Sequence, residues 1–135
     1  IFMETKFLNI MVKDKYQSVL DLGEKLKVQK GDVQVEGGKL KVKGVTNTQY
    51  QKDLLWDEIK RVGGENPTDI EADIQVADKN AYAYHTVEKG ESLSKISKKY
   101  YKDPMKYNQI FEANRDQLDN PDMIHPGQEL VIPIL

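Results

Sequence analysis

The chain has 135 residues, with 20 basic and 22 acidic side chains, 39% hydrophobic residues and no cysteine. The near balance of charge argues against electrostatic binding of nucleic acid, which needs a basic protein, and against a basic membrane-binding face. Without cysteine there are no disulfides, no thiolate chemistry and no cysteine zinc sites. The length allows one ordinary domain or two very small ones, each near the lower limit for a stable core.

The start of the chain carries no recognisable targeting signal. It opens with Ile1-Phe2-Met3, and Glu4 and Lys6 interrupt this apolar run, so no membrane span is expected here or further along the chain. No positively charged segment precedes an apolar core, as a signal peptide would require. We therefore expect a cytoplasmic protein, or a periplasmic or cell-wall-associated one if a leader has been removed.

The first half begins with a helix and a hairpin. Apolar residues recur at helical spacing over 15–27 and predict an amphipathic helix. The period then changes to two, and Gly37-Gly38 supplies a two-residue hairpin turn. On the returning strand, Leu40 and Val42 fall on one face and the lysines at 39, 41 and 43 fall on the other.

A second helix and a third strand complete this half. Thr48 and Gln51 have capping-box spacing and predict the start of a helix, which Gly63-Gly64 ends. Residues 70–76 alternate between apolar and polar side chains and predict a strand. The order α-β-β-α-β predicts a three-stranded sheet with one apolar face, which two helices cover.

The order of elements changes after an aperiodic linker at 79–83. A short strand over 84–87 is followed by Ser92, which can cap a helix. Asp103-Pro104 predicts the start of another helix, and Pro126-Gly127 fits a type II turn before the last strand. The inward-facing stripes of the two predicted helices consist of Leu93, Ile96, Tyr100, Tyr107, Ile110 and Phe111.

Three blocks of this second half resemble a LysM module, a family that recognises peptidoglycan and chitin. They are YHTVEKGESL at 84–93, IFEAN at 110–114 and IHPGQELVIP at 124–133. The blocks occur in the order that the family has. The resemblance implies a small βααβ domain over residues 84–135.

The first half resembles a BON domain, through its order of elements and the strand LKVKGV at 40–45. A BON domain followed by a LysM domain is the architecture of a bacterial potassium-binding protein family, whose members share a segment similar to NPDMI at 120–124. The resemblance implies an α+β protein with an N-terminal segment at 1–10, a BON-like αββαβ domain at 11–78 and a LysM domain at 84–135.

The LysM resemblance implies a shallow groove for N-acetylglucosamine between the loop after the first strand and the loop before the last. An acetamide group needs backbone partners, and the sugar faces need small apolar walls. For three of these residues a structural role is the favoured interpretation, because Leu93 and Ile124 fit a core and Ser92 fits a helix cap. The wall residues that the resemblance implies are Gly90, Glu91, Ser92 and Leu93 on one side and Met123, Ile124, His125 and Pro126 on the other.

The resemblance to the potassium-binding family implies a second ligand. Potassium prefers a cage of carbonyl oxygens, and backbone ligands leave almost no trace in side-chain identity. The implied metal ligands are main-chain oxygens around Val12 and Gly63. Glu65, Asn66 and Pro67 stand where that family tends to carry small and apolar residues. The glycine pair at 63–64 fits a simple helix stop equally well.

The sequence offers no catalytic constellation. His85 and His125 are too few for a histidine zinc cage and fit surface or rim positions. Asp119 and Asp122 lie in a polar loop, where solvation and turn formation explain them. The glycine pairs fit no phosphate loop, and no serine occupies a nucleophile elbow.

We therefore predict a two-domain, non-catalytic binding protein that requires no cofactor. Its first predicted function is recognition of N-acetylglucosamine in peptidoglycan or in a chitin-like oligosaccharide. The alternative is a cytoplasmic potassium sensor that binds the ion through backbone carbonyls of the BON-like domain. A third hypothesis is an adaptor whose two modules bind other proteins.

Overall fold

The structure is a computed structural model that describes residues 2–135, with side chains from Glu4 onward. The chain divides into two compact units, a first that ends at Ala77 and a second that covers Asp78–Leu135. Both units combine helices and strands. The α+β class predicted from the sequence is confirmed. None of the described helices is long and apolar enough to cross a membrane.

The first unit contains three helices and a three-stranded sheet. In the sheet, the middle strand pairs antiparallel with the first strand and parallel with the last. This is the predicted αββαβ order, preceded by one additional helix. The elements are α1 (Phe2–Lys15), α2 (Gln17–Lys25), β1 (Gln29–Glu36), β2 (Lys39–Thr46), α3 (Gln49–Gly63) and β3 (Ile70–Val76).

The additional helix is α1, which the sequence analysis missed. The sequence predicted one helix over 15–27, whereas α2 covers most of that range and α1 runs across the boundary placed between residues 10 and 11. The solvent side of α1 carries Phe7, Ile10 and Met11, each more than half exposed. Apolar side chains on the exposed face hide the amphipathic period that identifies a surface helix.

Local signals in this unit act as predicted. Gly37 and Gly38 have φ values of 60° and 75°, as a type I′ hairpin turn requires. The Thr48 side chain accepts a hydrogen bond from the Gln51 amide at 3.4 Å, and the Gln51 side chain accepts one from the Asn47 amide at 3.0 Å. The first bond satisfies an amide that the first turn of α3 leaves without a helical partner, and the second ties the residue before the cap to that turn.

The outer face of the sheet carries matched charges. Lys43 on β2 lies between Asp32 on β1 and Asp73 on β3. Lys39 pairs with Glu71 at 3.2 Å. Because acids flank the lysines of the middle strand on both sides, this face presents no basic surface to an anionic polymer.

The second unit has the βααβ order that the sequence predicted. Its two strands pair antiparallel, with Ala83 opposite Ile132 and His85 opposite Leu130. The Ser92 side chain caps the first helix by accepting from the Lys95 amide at 3.2 Å, as expected. The elements are β4 (Ala83–Thr86), α4 (Leu93–Tyr101), a 3-10 turn (Pro104–Lys106), α5 (Tyr107–Ala113) and β5 (Glu129–Ile132).

The buried side of the second unit ties α5 to β5. Asn114, 1% exposed, donates through its side-chain amide to the Ile110 and Val131 carbonyls at 2.7 and 2.8 Å. Its Oδ1 accepts from the Val131 amide at 2.9 Å. Leu93, Ile96, Tyr100 and Ile110 are buried as predicted, and together with Leu118 and the strand residues they form the core.

Candidate ligand-binding sites

Two tight turns border the region where the sequence predicts a sugar groove. In the turn over 88–91, the Glu91 amide donates to the Glu88 carbonyl at 3.2 Å, and Gly90 has a φ of 86°. In the turn over 125–128, the Gln128 amide donates to the His125 carbonyl at 3.1 Å, and Gly127 has a φ of 88°. The second turn confirms the predicted type II geometry.

These two turns are joined through Val87. Its amide donates to the Gln128 carbonyl at 2.8 Å, and its carbonyl accepts from the Gly127 amide at 2.8 Å. Since Val87 directly precedes the turn over 88–91, its backbone brings the two loops together. The loop after β4 and the loop before β5, in which the sequence analysis placed the two walls, therefore lie next to each other.

A cavity of about 210 Å³ opens beside these loops. Two residues of the predicted wall, Ser92 and Leu93, line this cavity. Leu93 is only 2% exposed and also belongs to the core, and Ser92 also caps α4. The structural and the groove-lining roles proposed for these residues therefore coexist. The lining residues are Ser92, Leu93, Ser94, Tyr107, Pro121 and Asp122.

The other predicted wall residues lie outside the lining of this cavity. Met123 is 60% exposed, and His125 and Pro126 are also exposed. Ile124 is half-buried, and Gly90 lies at the exposed tip of its turn. From this loop the cavity lining takes Pro121 and Asp122, the two residues directly before the segment that the sequence analysis named.

The sequence analysis missed four lining residues. Tyr107 was assigned to an inward stripe, yet it is half-buried at the start of α5, beside the groove. Asp122 was ascribed to turn formation, which is part of its role, since its amide donates to the Asn120 side chain at 2.8 Å. An Asn-Pro-Asp sequence directly before a predicted groove loop was the available signal for Pro121 and Asp122.

His85 corrects one expectation. The sequence analysis placed it on the surface or rim, but it is 5% exposed. Its Nδ1 lies 2.7 Å from the Tyr100 hydroxyl, and its Nε2 lies 2.8 Å from Glu91 Oε1. A strand position opposite Leu130 points this side chain inward, which the alternation of β4 could have indicated.

Glu91 is held by the same network. Its Oε1 also accepts from the Glu88 amide at 2.6 Å, and its side chain is 21% exposed. Burial alone would raise the pKa of this carboxyl, but hydrogen bonds from His85 and the Glu88 amide hold the pKa below its usual value. Glu91 is therefore a carboxylate fixed by internal partners.

The two residues of the predicted cation site both adjoin Tyr16. Val12, 5% exposed, accepts a helical hydrogen bond from the Tyr16 amide at 3.2 Å. Gly63 ends α3 directly against the Tyr16 hydroxyl, and a Cβ on Gly63 would also lie 2.9 Å from Pro67. The glycine is thus more than a helix stop, because a buried ring takes the place of its side chain.

Asp69 completes this cluster. Its carboxylate accepts a short hydrogen bond from the Tyr16 hydroxyl and pairs with Lys15 Nζ at 2.6 Å. Burial would raise the pKa of Asp69, but the bonds from Lys15 and Tyr16 hold it below its usual value. Burial and the Asp69 carboxylate raise the pKa of Tyr16 in turn.

A separate apolar cavity of about 220 Å³ lies in the first unit between α2 and the first two strands. It reaches the core at Leu55 and Ile74, and Glu24 and Asp32 stand among its lining. Its lining includes neither Val12 nor Gly63. The cavity therefore does not coincide with the predicted cation site.

Comparison with known proteins identifies the class of the second unit. Residues 85–133 match the model of the LysM domain family. The groove and its two turns therefore belong to a LysM domain.

A second comparison covers more of the chain. Over 104 residues, 77% of this chain and 69% of the relative, the sequence is 36% identical to the Potassium binding protein Kbp of Escherichia coli O6:H1. This match is longer than the second unit and so extends into the first. The chain belongs to the family of Kbp, the LysM-containing family that its motifs resemble. It is also 51% identical over 49 residues, 36% of this chain, to an uncharacterized protein of Deinococcus radiodurans, of which the match covers 19%.

Proposed function

We propose that this protein is a non-catalytic binding protein that recognises N-acetylglucosamine-containing glycan, such as peptidoglycan, through its LysM groove. The observation that carries the proposal is the cavity beside Ser92 and Leu93 in a domain of the LysM family. The LysM family is the class of domain in which such a groove takes up N-acetylglucosamine polymers.

The chemistry of the cavity suits a sugar. Tyr107 and Pro121 offer flat apolar surfaces for a pyranose face, and Asp122 offers a carboxylate to sugar hydroxyls. The turn glycine at 90 leaves backbone groups open to an acetamide. A single shallow groove holds few contacts, so we expect weak binding to one oligomer, in a range of about 0.1–1 mM.

The test fills the groove without touching the core. Ser94 is exposed and lines the cavity, so Ser94→Arg places a long side chain where the sugar would lie. Asn108→Arg, at an exposed position of α5 outside the lining, is the matched control for charge and helix. We expect Ser94→Arg alone to weaken binding of a chitin tetramer in calorimetry and retention on peptidoglycan. Equal binding by both variants would refute the groove.

The family relationship favours a second candidate, potassium binding in the first unit. The relative that aligns with 77% of this chain is named for potassium binding. We propose that the first unit is a BON-like domain and that main-chain oxygens near Val12 and Gly63 hold the ion. The end of α3 supports this site, because the last carbonyls of a helix lack helical partners and carry the negative end of the dipole.

The potassium proposal predicts stabilisation by the ion. A ligand that binds only the folded state stabilises it, and the melting temperature rises as the free ligand concentration increases. The only tryptophan, Trp56, lies in α3, so its fluorescence reports on the first unit. We expect this transition to move to higher temperature in potassium chloride than in sodium chloride at matched concentration. Identical transitions in the two salts would remove potassium as the ligand.

A further inference from the structure

His85 is a buried polar residue beside the groove that the proposed sugar contacts do not use. It lies on β4, and its side chain points into the second unit. Its ring meets the Tyr100 ring edge-on, with centroids 5.4 Å apart and an interplanar angle of 78°. The imidazole is therefore fixed between the core helix α4 and the loop that follows β4.

Both ring nitrogens are engaged. With its proton on Nε2, a neutral imidazole donates to Glu91 Oε1 at 2.8 Å and accepts from the Tyr100 hydroxyl at 2.7 Å. The Lys99 ammonium lies over the Tyr100 ring, 5.3 Å from its centroid. Because both ring nitrogens are hydrogen-bonded, the imidazole links the Tyr100 hydroxyl rigidly to the Glu91 carboxylate.

Glu91 connects His85 to the turn over 88–91. The same Oε1 accepts from the Glu88 amide at 2.6 Å, and the Glu91 amide donates to the Glu88 carbonyl at 3.2 Å. The turn is thus closed by a side-chain bond and a backbone bond at once. The two residues that follow, Ser92 and Leu93, line the cavity.

We propose that His85 is the positioning residue of the groove: through Glu91 it holds the turn over 88–91 in the orientation that presents Ser92 and Leu93 to the sugar. This inference rests on the proposed glycan function. It also reassigns Glu91, whose Oε1 is shared by two internal donors, from a sugar contact to the link between His85 and the turn.

The test removes the two nitrogens and keeps the ring. His85→Phe fills a similar volume but cannot bond to Glu91, so we expect the turn to open. The measured quantities are amide hydrogen exchange at Glu88 and Glu91 and the affinity for a chitin tetramer. We expect exchange to be about tenfold faster and binding to be about five- to tenfold weaker, as the loss of one charge-assisted hydrogen bond implies.

Leu118→Val is the control for a general loss of stability. Leu118 is 1% exposed in the same unit and is not part of the cavity lining. We expect this variant to lower the melting temperature of the second unit while leaving exchange at Glu88 and Glu91 and the affinity near wild type. His85→Gln, whose amide can still donate to Glu91, should recover part of both quantities.

The outcomes separate this inference from the proposed function. If His85→Phe leaves the two amides as protected as Leu118→Val does, or opens the turn without weakening binding, the positioning role is wrong. If the wild-type protein binds no oligosaccharide, the glycan function falls. In that case hydrogen exchange alone still tests whether His85 restrains the turn. Unchanged exchange at Glu88 and Glu91 in His85→Phe would refute that role.

Discussion

Gly63 lies directly over the hydroxyl of Tyr16, so closely that the structure leaves no space for a Cβ atom between them. The Tyr16 ring is completely buried, and its hydroxyl reaches past the end of α3 to Asp69. Tyr16 lies between α1 and α2, and its side chain contacts both the end of α3 and the residue that precedes β3. This is the region in which the proposed cation site falls.

The first prediction concerns this close contact. Gly63→Ala places a Cβ against the Tyr16 hydroxyl and 2.9 Å from Pro67, so the buried ring or the helix end must shift. We expect a loss of about 1–3 kcal/mol, the usual cost of overpacking a core. Urea unfolding followed by Trp56 fluorescence measures it.

The control is another glycine-to-alanine change in the same unit. A Cβ on Gly31 would meet nothing within 4 Å, and Gly31 has no positive φ. We expect Gly31→Ala to alter stability by no more than about 1 kcal/mol. Similar losses in both variants would show that the contact with Tyr16 is not what demands glycine at position 63.

The second prediction concerns the bond between Tyr16 and Asp69. Tyr16→Phe keeps the buried ring but removes the hydroxyl that donates to the carboxylate. We expect a loss of about 1–3 kcal/mol, because the bond involves a charged acceptor. A double-mutant cycle with Asp69→Asn isolates the pair. Losses that simply add in the double variant would mean that the two side chains do not interact.

The third prediction concerns acid. The pKa of Asp69 is lowered in the folded protein, so its contribution to stability is present above the unfolded value, about 3.8, and is lost as the pH falls through the folded value. We expect wild-type stability to decline more steeply than that of Asp69→Asn as the pH falls below about 5. Urea titrations at several pH values measure the difference.

Glu65→Gln serves as the comparison for this pH series. Glu65 is an exposed carboxylate in the loop that leads to Asp69, and the change removes the same charge. We expect it to keep the wild-type pH dependence. Parallel pH curves for wild type and Asp69→Asn would contradict the role given to Asp69.

The fourth prediction concerns the proposed sugar site. Asp122 lines the cavity, whereas Asp119 is an exposed carboxylate of the same loop outside the lining. We expect Asp122→Ala to weaken binding of a chitin tetramer about three- to tenfold, the effect of one lost polar contact, and Asp119→Ala to leave it unchanged. Equal affinities for the two variants in calorimetry would place the sugar elsewhere.

Local chemistry in the sequence predicted much of this protein. Gly37-Gly38 specified the hairpin turn, and Thr48 and Ser92 marked the starts of two helices. Each of these signals depends on a few neighbouring residues, because a turn or a cap is satisfied by hydrogen bonds within three or four positions. The motif blocks of the LysM domain were likewise readable from the sequence, and the family model matches that segment.

The features that the sequence analysis missed depend on residues far apart in the chain. Helix α1 carries apolar residues on its exposed side, so its sequence lacks the amphipathic period that would have predicted a helix. The burial of His85 depends on Tyr100 and Glu91, which approach it only when the strand and the helix pack. The same holds for Tyr107 and Asp122, which reach the groove from elements later in the chain than its first wall.

The sequence by itself determined the α+β class, the order of the elements after α1, most of the turns and caps and the LysM family of the second half, because these follow from local hydrogen bonding, hydrophobic period and short motifs. The tertiary structure decided which side chains meet: Tyr16 with Gly63 and Asp69, His85 with Glu91, and the lining of the groove. Such contacts result from the packing of side chains across long chain separations, and no local pattern in a single sequence specifies them.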